Sequence, residues 1–379
     1  MARVEFGEPT HHVSTEALAE LARRLVAIPS VSGEEKALAD WVQRWLVEDA
    51  ALAPSLVRRF GNCLLVGAVA TDRPTVALVG HLDTAPPLAA SVRAELVDGF
   101  VRGTGAADMK GGVAVMLALA ATLATGTLPI GCVWLLYDRE ESAGRDNGLV
   151  TLFEHVPELY DLDLAVLLDP TDNALQLGSL GSITGRFTFH GRAAHSARSW
   201  MGDNAVHRAA PLLAALRERP VRRVEVNGLT FRESTACTGV VGGAAHNTIP
   251  DAVELIVNHR FAPSAPLDEA LSNAMSFVRS LASEADLELM VVAEPGAVAI
   301  ANPLLDHWRS LVDFAVGPHE LTSDVRRFQS LAIDAVCCGP GDPDLSHTRD
   351  ERVAAASLRR SYDVLARLLT APLALTGEP

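Results

Sequence analysis

Basic residues are in short supply. Lys and Arg together number 32 against 47 Asp and Glu, a formal net charge of −15. That balance excludes the basic surface that a nucleic-acid backbone or an anionic membrane rewards. Cysteine is sparse too: residues 63, 132, 237, 337 and 338 form an odd set with neither the paired spacing of a zinc knuckle nor that of a disulfide framework. The stretch MARVEFGEPTHH has no apolar core of a secretory leader, so the expected compartment is the reducing cytoplasm. No apolar run suits a membrane either. Gly111 to Tyr137 carries no charge, but Gly126-Thr127-Leu128-Pro129 breaks it into a helix-length piece, Val113 to Ala124, and a strand-length piece, Cys132 to Tyr137. Both are expected in a protein core.

What is present is an ordinary globular composition, 49% hydrophobic and 21% charged, without repeats, low-complexity tracts or long linkers. At roughly one domain per 150 residues, 379 residues suggest two domains. Two amphipathic helices are expected over 15–27 and 33–47, the second carrying Leu38, Trp41, Val42, Trp45 and Leu46 on one face behind a Ser32/Glu35 capping box. Short β-rich runs then alternate with helices: strands over 64–69, 75–79, 132–137 and 164–168, helices over 113–124 and 149–155. This is the rhythm of an α/β sheet covered by helices. From Gly178 the texture changes to alternating strands over 182–189, 233–241 and 254–261, with helices near 203–217 and 267–285. A helix near 303–316, a strand at 335–338 and a helix at 353–370 then return to the first texture. The expected organisation is a discontinuous α/β domain, 1–177 and 295–379, with a mixed central sheet and an inserted α+β domain, 178–294.

Open α/β sheets bind ligands beyond the carboxyl ends of their strands, and that is where the chemistry-bearing residues fall. The 75–79 run leads to His81-Leu82-Asp83, the 132–137 run to Asp138-Arg139-Glu140-Glu141, the 164–168 run to Asp169, and the 335–338 run through a Gly-Pro loop to His347. Asp108 sits in the Gly-rich turn Gly103 to Gly112 that opens a helix. Imidazole nitrogens and carboxylate oxygens without thiolate suit a zinc-type divalent ion. Two such ions, about 3.5–4 Å apart, need a bridging carboxylate and share one water. Asp108 is the candidate bridge, with His81, Glu141, Asp169 and His347 as the other ligands. Asp83 is placed to hold the second nitrogen of His81. Neighbours on an extended segment point apart, so Glu141 can bind metal while Glu140 handles the proton. Zinc, cobalt and manganese all accept this set.

Gly80-His81-Leu82-Asp83, Gly105-Ala106-Ala107-Asp108-Met109-Lys110-Gly111-Gly112 and Asp138-Arg139-Glu140-Glu141 resemble the three signature blocks of the di-zinc family of aminoacylases, carboxypeptidases and deacylases. The likeness runs from about residue 14 to 370. It implies a catalytic domain interrupted by a lid domain that forms a homodimer. Segments 194–202, 257–263 and 339–351 resemble the deacylase subgroup that acts on succinylated diaminopimelate. The resemblance therefore implies release of succinate from N-succinyl-LL-2,6-diaminopimelate, a step of lysine biosynthesis. It also implies that His195 stabilises the oxyanion in the partner subunit's site, that Asn247 and Arg260 hold substrate carboxylates, and that Thr322 and Ser323 belong to a substrate-side loop. The last two are equally readable as helix caps. Asp169 departs from the subgroup's Glu, and His246 stands where a Gly is expected. Asp169 keeps open an acetylornithine-type deacetylase or a dipeptidase; a non-catalytic binding relative is the third reading.

Overall fold

Four apolar runs, too uniformly hydrophobic to leave a face in water, become neighbouring parallel strands in the computed structural model. Gly131–Tyr137, Thr75–His81, Leu164–Pro170 and Ala335–Gly339 pair in that order. Nearly every residue in them is buried, as a sheet covered on both faces requires. Cys63–Val66 and Val57–Phe60 extend one edge antiparallel, and Leu175–Leu177 and Val316–Pro318 extend the other, giving a mixed eight-stranded sheet. The structure describes residues 13–87, 94–141, 146–243, 245–264 and 266–373. The MARVEFGEPTHH stretch lies outside them.

The helix Gly111–Leu123 is apolar all round and almost wholly buried against the sheet. Among the described residues, one helical stretch, Ala106–Leu123, is long and apolar enough to cross a membrane, and 83% of it is buried inside the protein. Gly112 explains how this helix fits: a Cβ there would stand 2.5 Å from the Leu168 carbonyl oxygen. Only a glycine lets the helix start so close to the strand that carries Asp169. Thr15–Val26 and Ala355–Thr370 pack on the same helix, burying Leu18, Leu21, Leu25, Leu358, Leu365 and Leu368.

Two compact units emerge, residues 1–177 with 299–317 and 327–379, and residues 178–298 with 318–326. The second unit is an antiparallel sheet in the order Arg222–Val226, Leu229–Gly242, Ala252–Phe261, Gly181–His190, Asp286–Ala293. Its strands alternate buried and half-exposed residues. The buried set, Ile183, Phe187, Phe189, Leu255 and Val257, packs with apolar residues of the helices Ala205–Glu218 and Leu267–Ser280.

Three local expectations are corrected. The second helix begins at Lys36, and the Ser32/Glu35 capping box does not form. The Glu35 carboxylate is buried and accepts from Gly33 N at 2.6 Å instead. The 303–316 helix ends at Leu311, where Val312 turns extended (φ −136°, ψ 130°), and Val316–Pro318 is a strand. The 267–285 helix stops at Ser280, and the period-two run that follows forms the strand Asp286–Ala293.

Candidate metal centre

His81 is the last residue of its strand and is almost fully buried. Its Nε2 lies 3.2 Å from Asp108 Oδ1, and its Nδ1 lies 3.0 Å from the Asp83 carbonyl oxygen. The Asp83 carboxylate, also buried, has a larger task than orienting His81. It accepts from Glu140 N at 3.0 Å and Glu141 N at 2.9 Å, fixing the backbone from which both acids project. Burial alone would raise the Asp83 pKa, but the His81 ring and these amides outweigh it and hold it at about 2.

The Asp108 turn is built with equal care. Gly105 takes φ 78°, where a side chain would be strained, and a Cβ there would meet Thr84 at 2.5 Å. Asp108 is extended (φ −118°, ψ 97°). The buried Glu351 carboxylate accepts from Gly105 N (2.9 Å), Ala107 N (3.1 Å) and Asp108 N (3.1 Å). Below the turn, the Lys110 ammonium donates to the Ile28 carbonyl at 2.7 Å, and burial lowers its pKa to about 7. Ser30 Oγ donates to the Leu82 carbonyl at 2.7 Å, tying the same interhelix loop to the His81 segment.

His347 Nε2 is 2.7 Å from Glu141 Oε1 and 3.6 Å from Asp108 Oδ2. The Glu141 bond raises its pKa to about 9 against a partial desolvation. Burial disfavours a charge on His81, yet Asp108 and Asp83 raise its pKa well above the ordinary value. Each imidazole thus faces carboxylates where a cation is electrostatically favoured.

Donor atoms of His81, Asp108 and Asp169 lie within 4.8 Å of one another, as do those of Asp108, Glu141 and His347. The two triads share Asp108. His81, Glu140 and Glu141 form a third group of the same span. The donors are hard oxygens and imidazole nitrogens, with Cys337 Sγ donating to Asp169 Oδ2 at 3.6 Å behind them. Three carboxylates and two imidazoles fit two divalent cations in chemistry and charge.

The remaining sequence candidates lie in the second unit. His195 is exposed on the two-residue strand Ala194–His195, and its Nδ1 accepts from Ala197 N at 3.1 Å. The Asn247 carbonyl accepts from Ser196 N at 2.9 Å, which keeps the two segments together. Arg260 projects from Ala252–Phe261, donating to Asn258 Oδ1 at 2.9 Å and to Thr322 Oγ1 at 3.2 Å. Ser323 Oγ accepts at 3.3 Å from Val325 N, the first residue of the helix Val325–Ser330. Glu351 closes the 339–351 segment singled out in the sequence but carries no role there, because its bonds to amides 243 to 246 residues away leave no local pattern.

A mixed sheet that gathers imidazole and carboxylate donors beyond its carboxyl edge defines the class: a metal-dependent hydrolase of α/β architecture. Residues 77–371 match peptidase family M20/M25/M40, and the chain belongs to that family. A Mycobacterium tuberculosis protein named as a succinyl-diaminopimelate desuccinylase is 37% identical over 355 residues, covering 92% of this chain and 97% of that one. The succinyl-diaminopimelate desuccinylase of Corynebacterium glutamicum is 35% identical over 356 residues, covering 92% and 95%. Aminopeptidase PepT from Bacillus cereus shares the fold, with a TM-score of 0.70 at 17% identity over 94% of this chain and 98% of that one.

Proposed function

We propose that this chain hydrolyses the amide of N-succinyl-LL-2,6-diaminopimelate, releasing succinate and LL-2,6-diaminopimelate in the cytoplasm. The observation that carries the reaction type is the pair of donor triads meeting at Asp108. The succinyl substrate is supported by the two desuccinylase relatives at 37% and 35% identity over nearly the whole chain.

In this reading His81 and Asp169 would hold one divalent ion and Glu141 and His347 the other, with Asp108 common to both donor groups; zinc is the favoured metal. Two divalent ions held there would supply Lewis-acid polarisation of the scissile carbonyl and lower the pKa of a nucleophilic water toward neutrality. Glu140 takes a proton from the water as its oxygen bonds to the carbonyl carbon and returns it to the leaving nitrogen as the C–N bond breaks, giving the carboxylate and the free amine. Asp83 acts through the backbone, holding Glu140 and Glu141 at the spacing the two jobs need. His195 donates to the oxyanion, supplied by the partner subunit of a homodimer formed through the second unit. Arg260, bonded to Thr322 with Ser323 next in the chain, and Asn247, whose carbonyl is bonded to Ser196 N beside His195, take the substrate carboxylates; a guanidinium fork suits that group bidentately.

The test is succinate release by zinc- or cobalt-reconstituted protein, run beside N-acetylornithine and a simple dipeptide. Preference for the succinyl substrate is expected. A dipeptide preference would give Asp169 its meaning as a specificity marker and overturn the desuccinylase assignment. Inactivity on all three by protein that holds two ions would overturn the hydrolytic reading of the substrate classes altogether.

A further inference from the structure

We propose that Glu351 is a positioning residue whose charge and length let one carboxylate, Asp108, serve two metal ions at once; this rests on the two-ion reading above. Its backbone is already fixed. Glu351 precedes the strand Arg352–Ala354, which pairs with Phe100–Arg102, and its carbonyl accepts from Gly103 N at 3.1 Å. From that base the side chain reaches under the Asp108 turn. One oxygen accepts from Gly105 N, the other from both Ala107 N and Asp108 N. The two oxygens are therefore committed to three amides, spanning the residues that set the direction of Asp108.

The consequence is at the shared corner. Asp108 Oδ1 faces His81 at 3.2 Å while Oδ2 faces His347 at 3.6 Å. A carboxylate can turn to satisfy a single ion from many backbone positions, but it can bridge two only if the plane of the group is aimed between them. A buried acid facing another acid is a costly choice if backbone satisfaction were the whole purpose. Near two dications the same negative charge is favourable.

Glutamine at 351 must turn its NH2 toward at least one N–H, since all three partners are donors. Aspartate keeps the charge but is one methylene short of the turn. The experiment titrates metal-free wild type, Glu351→Gln and Glu351→Asp with Co2+, following heat and visible absorption for each ion. Thermal unfolding of the metal-free proteins is measured alongside. In both variants the second Co2+ is expected to bind about 10- to 100-fold more weakly, with an altered spectrum, while the first binds nearly as in wild type. Wild-type affinity for both ions, or an equal loss for both in step with lower metal-free stability, would overturn the proposal and leave Glu351 a structural residue. Wild type that takes up a single Co2+ overturns the two-ion reading itself, and this inference with it.

Discussion

At the scale of single residues, the centre depends on side chains with different jobs that a kinetic and a metal-content measurement can separate. Glu140→Ala removes the proposed proton carrier but no member of either triad that meets at Asp108. Turnover should fall about 100- to 10,000-fold while two metal equivalents per chain remain by elemental analysis; metal loss in parallel would make Glu140 a ligand instead. Asp83→Ala is expected to behave differently. It strips two half-buried amides, Glu140 N and Glu141 N, of their acceptor, against a cost of about 1–3 kcal/mol for fully buried unpaired groups. Both turnover and metal occupancy should drop, because the proposed proton carrier Glu140 and the proposed ligand Glu141 lose the same support. The sequence made Asp83 visible as an imidazole partner, two residues on from His81. Its hold on the 140–141 backbone was invisible, since bonds across 57 and 58 residues leave no local pattern.

At the scale of elements, the helix Gly111–Leu123 and the strand Leu164–Pro170 must approach closely for Asp108 and Asp169 to belong to one triad. Gly112→Ala tests that approach. A Cβ 2.5 Å from Leu168 O cannot be accommodated without moving the helix start, and overpacking of this kind costs about 1–3 kcal/mol. Lower thermal stability together with reduced metal content is expected; lost stability at full metal content would show that Asp108 tolerates the shift. The four central strands were legible because burial on both faces leaves each a continuous apolar run ending in a polar residue. The edge strands Val57–Phe60, Leu175–Leu177 and Val316–Pro318 were not: four residues or fewer carry no usable period. The Ser32/Glu35 motif misled for a related reason. Its spacing permits a capping box, but the buried Glu35 carboxylate found the Gly33 amide first.

At the scale of the whole molecule, the two units respond to different solution variables, so their unfolding should be separable. All the proposed metal ligands lie in the unit formed by 1–177, 299–317 and 327–379, and ligands that bind only the folded state stabilise it by mass action, about 2.7 kcal/mol at 100 times Kd. A chelator should therefore lower the transition of that unit. In the other unit, His259 is buried beside Phe261 and Phe277, with Thr235 and Ser234 at its Nδ1. Burial lowers its pKa below the ordinary 6.5, opposed by Glu233 and assisted by Arg219 and Arg222. A folded pKa below the unfolded one means that the unfolded chain binds the proton more readily. The contribution of His259 to stability is thus complete above about 6.5 and is lost as pH falls from there toward the lowered folded value. Scanning calorimetry between pH 5 and 7.5 should show the second unit's transition falling with acid in wild type and much less in His259→Gln, with chelator acting on the first transition alone. One merged transition that follows both variables equally would mean that the units unfold together, and that neither the metal centre nor His259 is a local determinant of stability.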